Sequence, residues 1–287
     1  MASIADTQTT AAKGLSLHVG LNEIDPNHYD GSHGYLSSCI NDANAMADLA
    51  RSQGFDVLGV LTNQAGTRQA VKSAFMDAAA RLKAGDVFLF TYSGHGSNVM
   101  DENADELQDA EPDRLDETWC LYDGMLVDDE VYKMWQSFAE GVRVLVLLDC
   151  CHSGSGIKAP GTAPGKKLPG LPRALSKSQA VKTFVKNRAL YAAIQAEAKG
   201  SRDLPVLCAV NLISACRDDQ TASDGEPDGY GFFTEQVLSV WDNGGFQGSL
   251  TDFHQKVRDL AIMYQEPKFY PTGKPDPAFD AKRPFSI

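Results

Sequence analysis

Apolar residues in this chain gather into short, nearly unbroken runs. Leu15–Leu21, Val57–Leu61, Asp86–Tyr92, Val142–Leu148 and Val206–Ser214 are rich in Val, Leu and Phe with little polar alternation. Strands of a parallel sheet covered on both faces have this composition. Between them the period changes. Thr67–Lys83 places Val71, Phe75, Ala78 and Leu82 on one stripe, which predicts an amphipathic helix. Asn41–Gln53, Asp129–Ala139, Gln179–Lys199, Phe232–Trp241 and Leu250–Tyr264 read as further helices. The alternation predicts an α/β three-layer sandwich, a mostly parallel central sheet flanked by helices. No internal repeat argues for a solenoid or propeller.

Composition narrows the picture. The 287 residues are 43% hydrophobic, enough for a sizeable core. No apolar run approaches the roughly 18–20 residues of a membrane span. Residues 1–13 lack the basic end and apolar core of a secretory signal and read as a short flexible N-terminus before a domain at 14–287. The net charge of −12 argues against nucleic acid or an anionic membrane as partner and favours a basic one. None of Cys39, Cys120, Cys150, Cys151, Cys208 and Cys216 forms a zinc-type pair, so the thiols read as reduced and the compartment as cytoplasmic. A monomer is expected.

Two segments break the pattern. Asp101–Glu117 carries nine carboxylates against Arg114, and Ile157–Arg202 carries ten Lys and Arg residues against Glu197 alone. The start of the basic segment, Lys158–Pro172, is rich in Gly and Pro and predicts an exposed loop. The acidic segment reads as a solvated face or as oxygen ligands for a hard cation. Asp101-x-Asn103-x-Asp105 opens like an EF-hand loop but has Glu106 and Pro112 where that loop needs Gly and Glu, so it is not one.

The chemistry gathers where two strands end. Asp86–Tyr92 runs into Ser93-Gly94-His95-Gly96, and Val142–Leu148 into Asp149-Cys150-Cys151-His152-Ser153-Gly154. Open parallel sheets collect reacting groups at the carboxyl ends of their strands. A His after one strand and a Cys after another, with the His roughly fifty residues upstream, form a candidate nucleophile–base dyad. Strand alternation points Asp149 and Cys151 to one face and Cys150 to the other. Cys151 is therefore the expected exposed nucleophile and His95 the base, in preference to the adjacent His152. The backbone N–H groups of Cys151 and Gly94 are the expected oxyanion donors.

These motifs resemble those of metacaspases. Tyr92-Ser93-Gly94-His95-Gly96 and Asp149-Cys150-Cys151-His152-Ser153-Gly154 match the two catalytic motifs, supported by Cys39-Ile40-Asn41-Asp42-Ala43 and by the stretch from Ile213 to Thr221. The resemblance runs from about Gly14 to Tyr264 and is to compact type I, bacterial orthocaspase-like members. It implies a caspase fold with a large-subunit part at 14–157, a basic linker at 158–202 and a small-subunit part at 203–287. It also implies a cysteine endopeptidase cutting proteins after Arg or Lys, with a place in stress, defence or cell-death proteolysis. Cys39, Asp42, Ser93 and Asp149 would line the pocket for the residue before the cut (P1). Two carboxylates there suit a cation and repel an acid. No cofactor is needed for the chemistry. In the family calcium is a common activator, which the resemblance would place at Asp113, Asp128 and Asp129.

The basic linker lies at the junction of the two parts and carries the residues that such a pocket accepts. The expectation is a zymogen cut beside Lys158, Lys166, Lys167, Arg173, Lys177, Lys182, Lys186 or Arg188, by itself or by an upstream protease. Two rivals are weaker. Gly161-Thr162-Ala163-Pro164-Gly165-Lys166 is one residue short of a phosphate loop and follows no strand. A non-catalytic caspase-like scaffold would typically have lost the Cys or the His, and both are present.

Overall fold

The computed structural model describes residues 11–101, 115–151, 170–217 and 220–287. Its centre is a six-stranded sheet built from β1 (Gly14–Gly20), β2 (Asp56–Thr62), β3 (Val87–Ser93), β7 (Arg143–Asp149), β8 (Ala209–Ser214) and β9 (Lys268–Gly273). The order is β2-β1-β3-β7-β8-β9. The first five strands run parallel, and β9 closes one edge antiparallel to β8. A second sheet of three antiparallel strands, β4 (Gly96–Met100), β5 (Leu115–Leu121) and β6 (Gly124–Val127), follows β3 directly.

Alternation along the strands feeds two cores. Val144, Val146 and Leu148 of β7 face Val71 and Phe75 of α2 (Arg68–Arg81) and Met134 and Trp135 of α3 (Asp128–Gln136). Leu145 and Leu147 face the other way, onto Met46 and Leu49 of α1 (Cys39–Ser52), Phe233 of α6 (Phe232–Trp241) and Phe253 of α7 (Leu250–Ala261). The expected three-layer sandwich is the architecture found.

The basic segment differs from expectation. The single helix read at Gln179–Lys199 is two, α4 (Lys177–Lys186) and α5 (Arg188–Ala198), parted at Asn187, whose side-chain amide donates to the Thr183 and His28 carbonyls. A short helix α8 (Pro277–Asp280) lies near the C-terminus.

Candidate active site

The parallel strands deliver their carboxyl ends to one rim. Adjacent β3 and β7 align Ser93 with Asp149, and α1 brings Asp42 to the same place. Asp42 lies in the first turn of α1, whose N-cap is Ser38. Its carboxylate accepts from Ser93 Oγ at 2.6 Å and from the Gly231 N–H at 2.8 Å. Asp149 Oδ2 accepts from the Thr234 N–H and hydroxyl at 3.0 and 2.7 Å. A third carboxylate, Asp224, is held by Ser38 Oγ at 2.6 Å and by the Ser37 N–H at 2.5 Å.

The guanidinium of Arg173 fills the space between them. It contacts Asp42 at 2.7 Å, Asp149 at 2.9 Å and Asp224 at 3.0 Å, and donates to Ser93 Oγ at 2.6 Å and Ser38 Oγ at 2.8 Å. Gly231 closes the pocket: a Cβ there would lie 2.4 Å from the guanidinium. The arginine is wholly buried. A charge in such a place is tolerable only when paired and hydrogen-bonded. Burial pushes the Asp149 carboxyl up to about 6 against the pull of Arg173. Burial acts likewise on Asp224, but there Arg173 and the serine hydrogen bonds outweigh it, and the pKa is lowered. Cys39 borders the same pocket, and burial pushes its thiol up to about 12.

The backbone around Arg173 is held as firmly. Its carbonyl oxygen accepts the N–H groups of both Cys151, at 3.1 Å, and Gly96, at 3.0 Å. Its N–H donates to the Ala222 carbonyl, and Leu171 accepts from the Asp224 N–H. On the other side the Leu175 N–H donates to the Gly96 carbonyl. Gly96 allows this approach because any Cβ there would lie 2.0 Å from the Cys151 carbonyl oxygen. The Gly94 N–H points elsewhere, to the Asp149 carbonyl at 3.4 Å.

Cys151 and Cys150 fall on opposite faces, in the α1/α6 and α2/α3 cores respectively. Cys151 was expected to be exposed and is not, with 1% of its surface accessible: its side chain sits in a core with Cys216 and Ala222, against which Ala174 also packs. Its Sγ accepts the Ala222 N–H. The His95 ring is buried as well, and burial lowers its pKa to about 4. Its Nε2 meets the Gly34 carbonyl at 3.0 Å, which fixes a proton there and leaves Nδ1, buried and without a hydrogen bond among the described residues, as the basic nitrogen. Among the described residues no hydrogen bond joins Cys151 Sγ to the His95 ring, since Sγ pairs with the Ala222 backbone and Nδ1 has no partner. The thiol, the basic imidazole nitrogen and the two N–H groups on one carbonyl are nevertheless the components that acyl transfer from a peptide requires.

Sequence reasoning missed Asp224, Ser38, Gly231 and the orienting Gly34 carbonyl, and it chose Gly94 where the geometry brings Gly96. It also treated Arg173 as an exposed linker residue, whereas three carboxylates bury it. Lys177, Lys182, Lys186 and Arg188 lie in α4 and α5; Lys158, Lys166, Lys167 and Asp113 lie outside the described residues. Asp128 and Asp129 are adjacent at the start of α3, but Arg202 contacts both, at 2.8 and 3.3 Å. Among the described residues no group of three or more His, Cys, Asp or Glu side chains could hold a metal ion, so these two carboxylates do not by themselves make a calcium shell. No helix among the described residues is long and apolar enough to cross a membrane.

Comparison with known proteins identifies the family and the fold. Residues 24–280 match the Caspase domain family. Metacaspase-1 of Arabidopsis thaliana is 34% identical over 46% of this chain and 38% of its own length. Metacaspase-2 of Trypanosoma brucei brucei is 27% identical over 73% of this chain and 55% of its own. The first curated relatives are thus much longer, the match spanning as little as 24% of one of them. A crystal structure of protein GSU0716 from Geobacter sulfurreducens superposes with a TM-score of 0.84 at 42% identity, covering 96% of this chain and 99% of that one. Caspase-1 from Spodoptera frugiperda shares the fold, with a TM-score of 0.54 at 12% identity over 90% and 86% of the two chains. The chain belongs to the caspase-domain family of peptidases, and its curated relatives are metacaspases.

Proposed function

We propose that this protein is a cysteine endopeptidase that cuts after Arg or Lys and is made as a zymogen whose own Arg173 fills its P1 pocket. The buried Arg173 supports the reading: a cationic side chain between Asp42, Asp149 and Asp224, with its carbonyl on the N–H groups of Cys151 and Gly96, is what a P1 arginine would need. In catalysis His95 Nδ1 takes the Cys151 proton and the thiolate attacks the P1 carbonyl, whose oxyanion receives those two N–H groups. The protonated imidazole then gives its proton to the leaving amine. Water, deprotonated by the same ring, cleaves the thioester and regenerates the thiol.

Among the described linker residues, Arg173–Ala174 is the bond held in this pose, and we assign self-processing to it; an upstream protease cutting elsewhere in the linker is the alternative trigger. The enzyme acts in the cytoplasm, its six cysteines free, as a monomer whose partners are basic protein substrates rather than nucleic acid or membrane. Stress, defence or cell-death proteolysis is the setting the metacaspase relatives suggest. Calcium enters only as a modulator competing with Arg202 for Asp128 and Asp129. The test is turnover of a small Arg–coumarin peptide by wild-type and Cys151→Ala protein, with mass mapping of fragments. Turnover together with a fragment ending at Arg173, both absent from Cys151→Ala, is expected. Cleavage after Asp, or turnover unaffected by Cys151→Ala, would overturn the reading.

A further inference from the structure

The segment that occupies the cleft also records which of its side chains the protein grips. On the acyl side of the Arg173–Ala174 bond it pairs through backbone alone, with Pro172 bridged antiparallel to Ser223. Leu171 is 54% exposed, and Gly170 and Pro172 are also exposed. Side chains that point to solvent add little selectivity. The leaving-group side is different. Ala174 bridges to Gly96 in parallel fashion and packs half-buried against the core that contains Cys151. Leu175 is 4% exposed, in a cluster with Val99, Cys120 and Met125 of the small sheet and Phe184 and Tyr191 of α4 and α5.

Resting on the peptidase reading above, we propose that this enzyme selects substrates on the leaving-group side of the cut. It favours a small residue directly after the Arg or Lys (P1′) and a large aliphatic residue next (P2′), and discriminates little at the two positions before it (P2 and P3). A cut at Arg173 leaves Ala174 and Leu175 as a short free end ahead of α4. An incoming chain can displace that end and seat its own P2′ side chain where Leu175 sits. The small sheet thus has a role beyond support: it supplies one wall of the P2′ site through Val99 and Met125.

The experiment uses wild-type enzyme and internally quenched peptides built on Gly-Leu-Pro-Arg-Ala-Leu, varied one position at a time. The resident segment competes equally with every peptide, so ratios of kcat/KM remain meaningful. Replacing the P2′ Leu by Asp or Lys should lower kcat/KM by about tenfold or more, the effect of withdrawing one buried aliphatic side chain. Replacing the P1′ Ala by Trp should also lower it. The same Asp or Lys at P3 should change it by less than about threefold. Turnover of Arg peptides with a flat response at P2′, or with P3 as selective as P2′, overturns this proposal alone. Failure to cut any Arg peptide overturns the peptidase reading and this proposal with it.

Discussion

Replacing Arg173 by Ala in a Cys151→Ala background, which prevents self-cutting, tests the pocket directly. The substitution removes a wholly buried cation that touches Asp42, Asp149 and Asp224. Breaking one side of a buried ion pair typically costs about 3–5 kcal/mol, because the abandoned charge stays buried. Spread over a chain of 287 residues, that is a fall in Tm of roughly 5–8 °C if the chain unfolds as one unit. The deficit should depend on pH. Asp149, already pushed up to about 6 by burial, rises further once the guanidinium is gone. A carboxyl with a raised folded pKa gives its full contribution below its ordinary 3.8 and loses it as pH rises through the folded value. The variant should therefore lose most at pH 7.5 and least near pH 4. Agmatine, a small guanidinium ligand, should refill the cavity and restore about 2.7 kcal/mol at a hundred times its Kd. The parent, with its pocket full, should not respond. Differential scanning calorimetry with and without agmatine reads both effects. A variant that melts with its parent at neutral pH, or agmatine shifting both chains equally, would refute the arginine pocket.

Other consequences are simpler to check. Cys151→Ala and His95→Ala should each abolish turnover while Cys150→Ala keeps most of it, and iodoacetamide should label Cys151 in preference to Cys150 in the active enzyme; labelling of Cys150 with Cys151 spared would contradict this. In the uncut chain the lowered pKa of His95, about 4, means that stability present above about 6.5 is lost as pH falls toward 4. The difference in melting between Cys151→Ala and its His95→Gln derivative should therefore change over that window, and a pH-independent difference would argue against a buried neutral ring. Calcium, if it acts at Asp128 and Asp129, must displace Arg202. Arg202→Gln should then bind Ca²⁺ more tightly in calorimetry, and absence of binding by both chains, with full activity in EDTA, would remove calcium from the scheme.

How far the chain could be read from its residues follows from what each part is packed against. β1, β3, β7 and β8 were legible because both their faces are covered, so every position favours an apolar side chain. β9 was not. It is an edge strand, half-exposed, with Pro271 in its middle, and polar residues there carry no burial signal. The small sheet was hidden for another reason: β5 opens on Leu115-Asp116-Glu117 at the end of the carboxylate-rich stretch, which by charge alone reads as solvated surface. Asn187 divides α4 from α5 through hydrogen bonds to Thr183 and His28. Periodicity does not register such a break, because the apolar stripe continues across it.

The site divides in the same way. His95, Cys151, Asp149 and Asp42 sit at the ends of regular elements, so a local pattern locates them, and strand alternation suffices to separate Cys150 from Cys151. Asp224 and Ser38 reach the pocket from loops, where no period places them. Arg173 was misread for the opposite reason. Ten basic residues in a segment that opens on a Gly- and Pro-rich stretch argue for a solvated tether, and nine-tenths of that charge says nothing about the tenth. What decides the fate of Arg173 is the cluster of carboxylates it meets, two of them donated by residues 131 and 51 positions away. Three acids brought together by a sheet rim cannot stay buried and ionised without a cation. The chain carries one at a distance that closes the cleft, and the carbonyl of that residue falls on the only pair of N–H groups, from Cys151 and Gly96, that meet on one oxygen beside the nucleophile among the described residues. The pocket's acidity and the linker's basicity are thus two halves of one charge balance. On the proposed reading, the same need for a cation that Arg173 meets in the uncut protein would select Arg or Lys in a substrate.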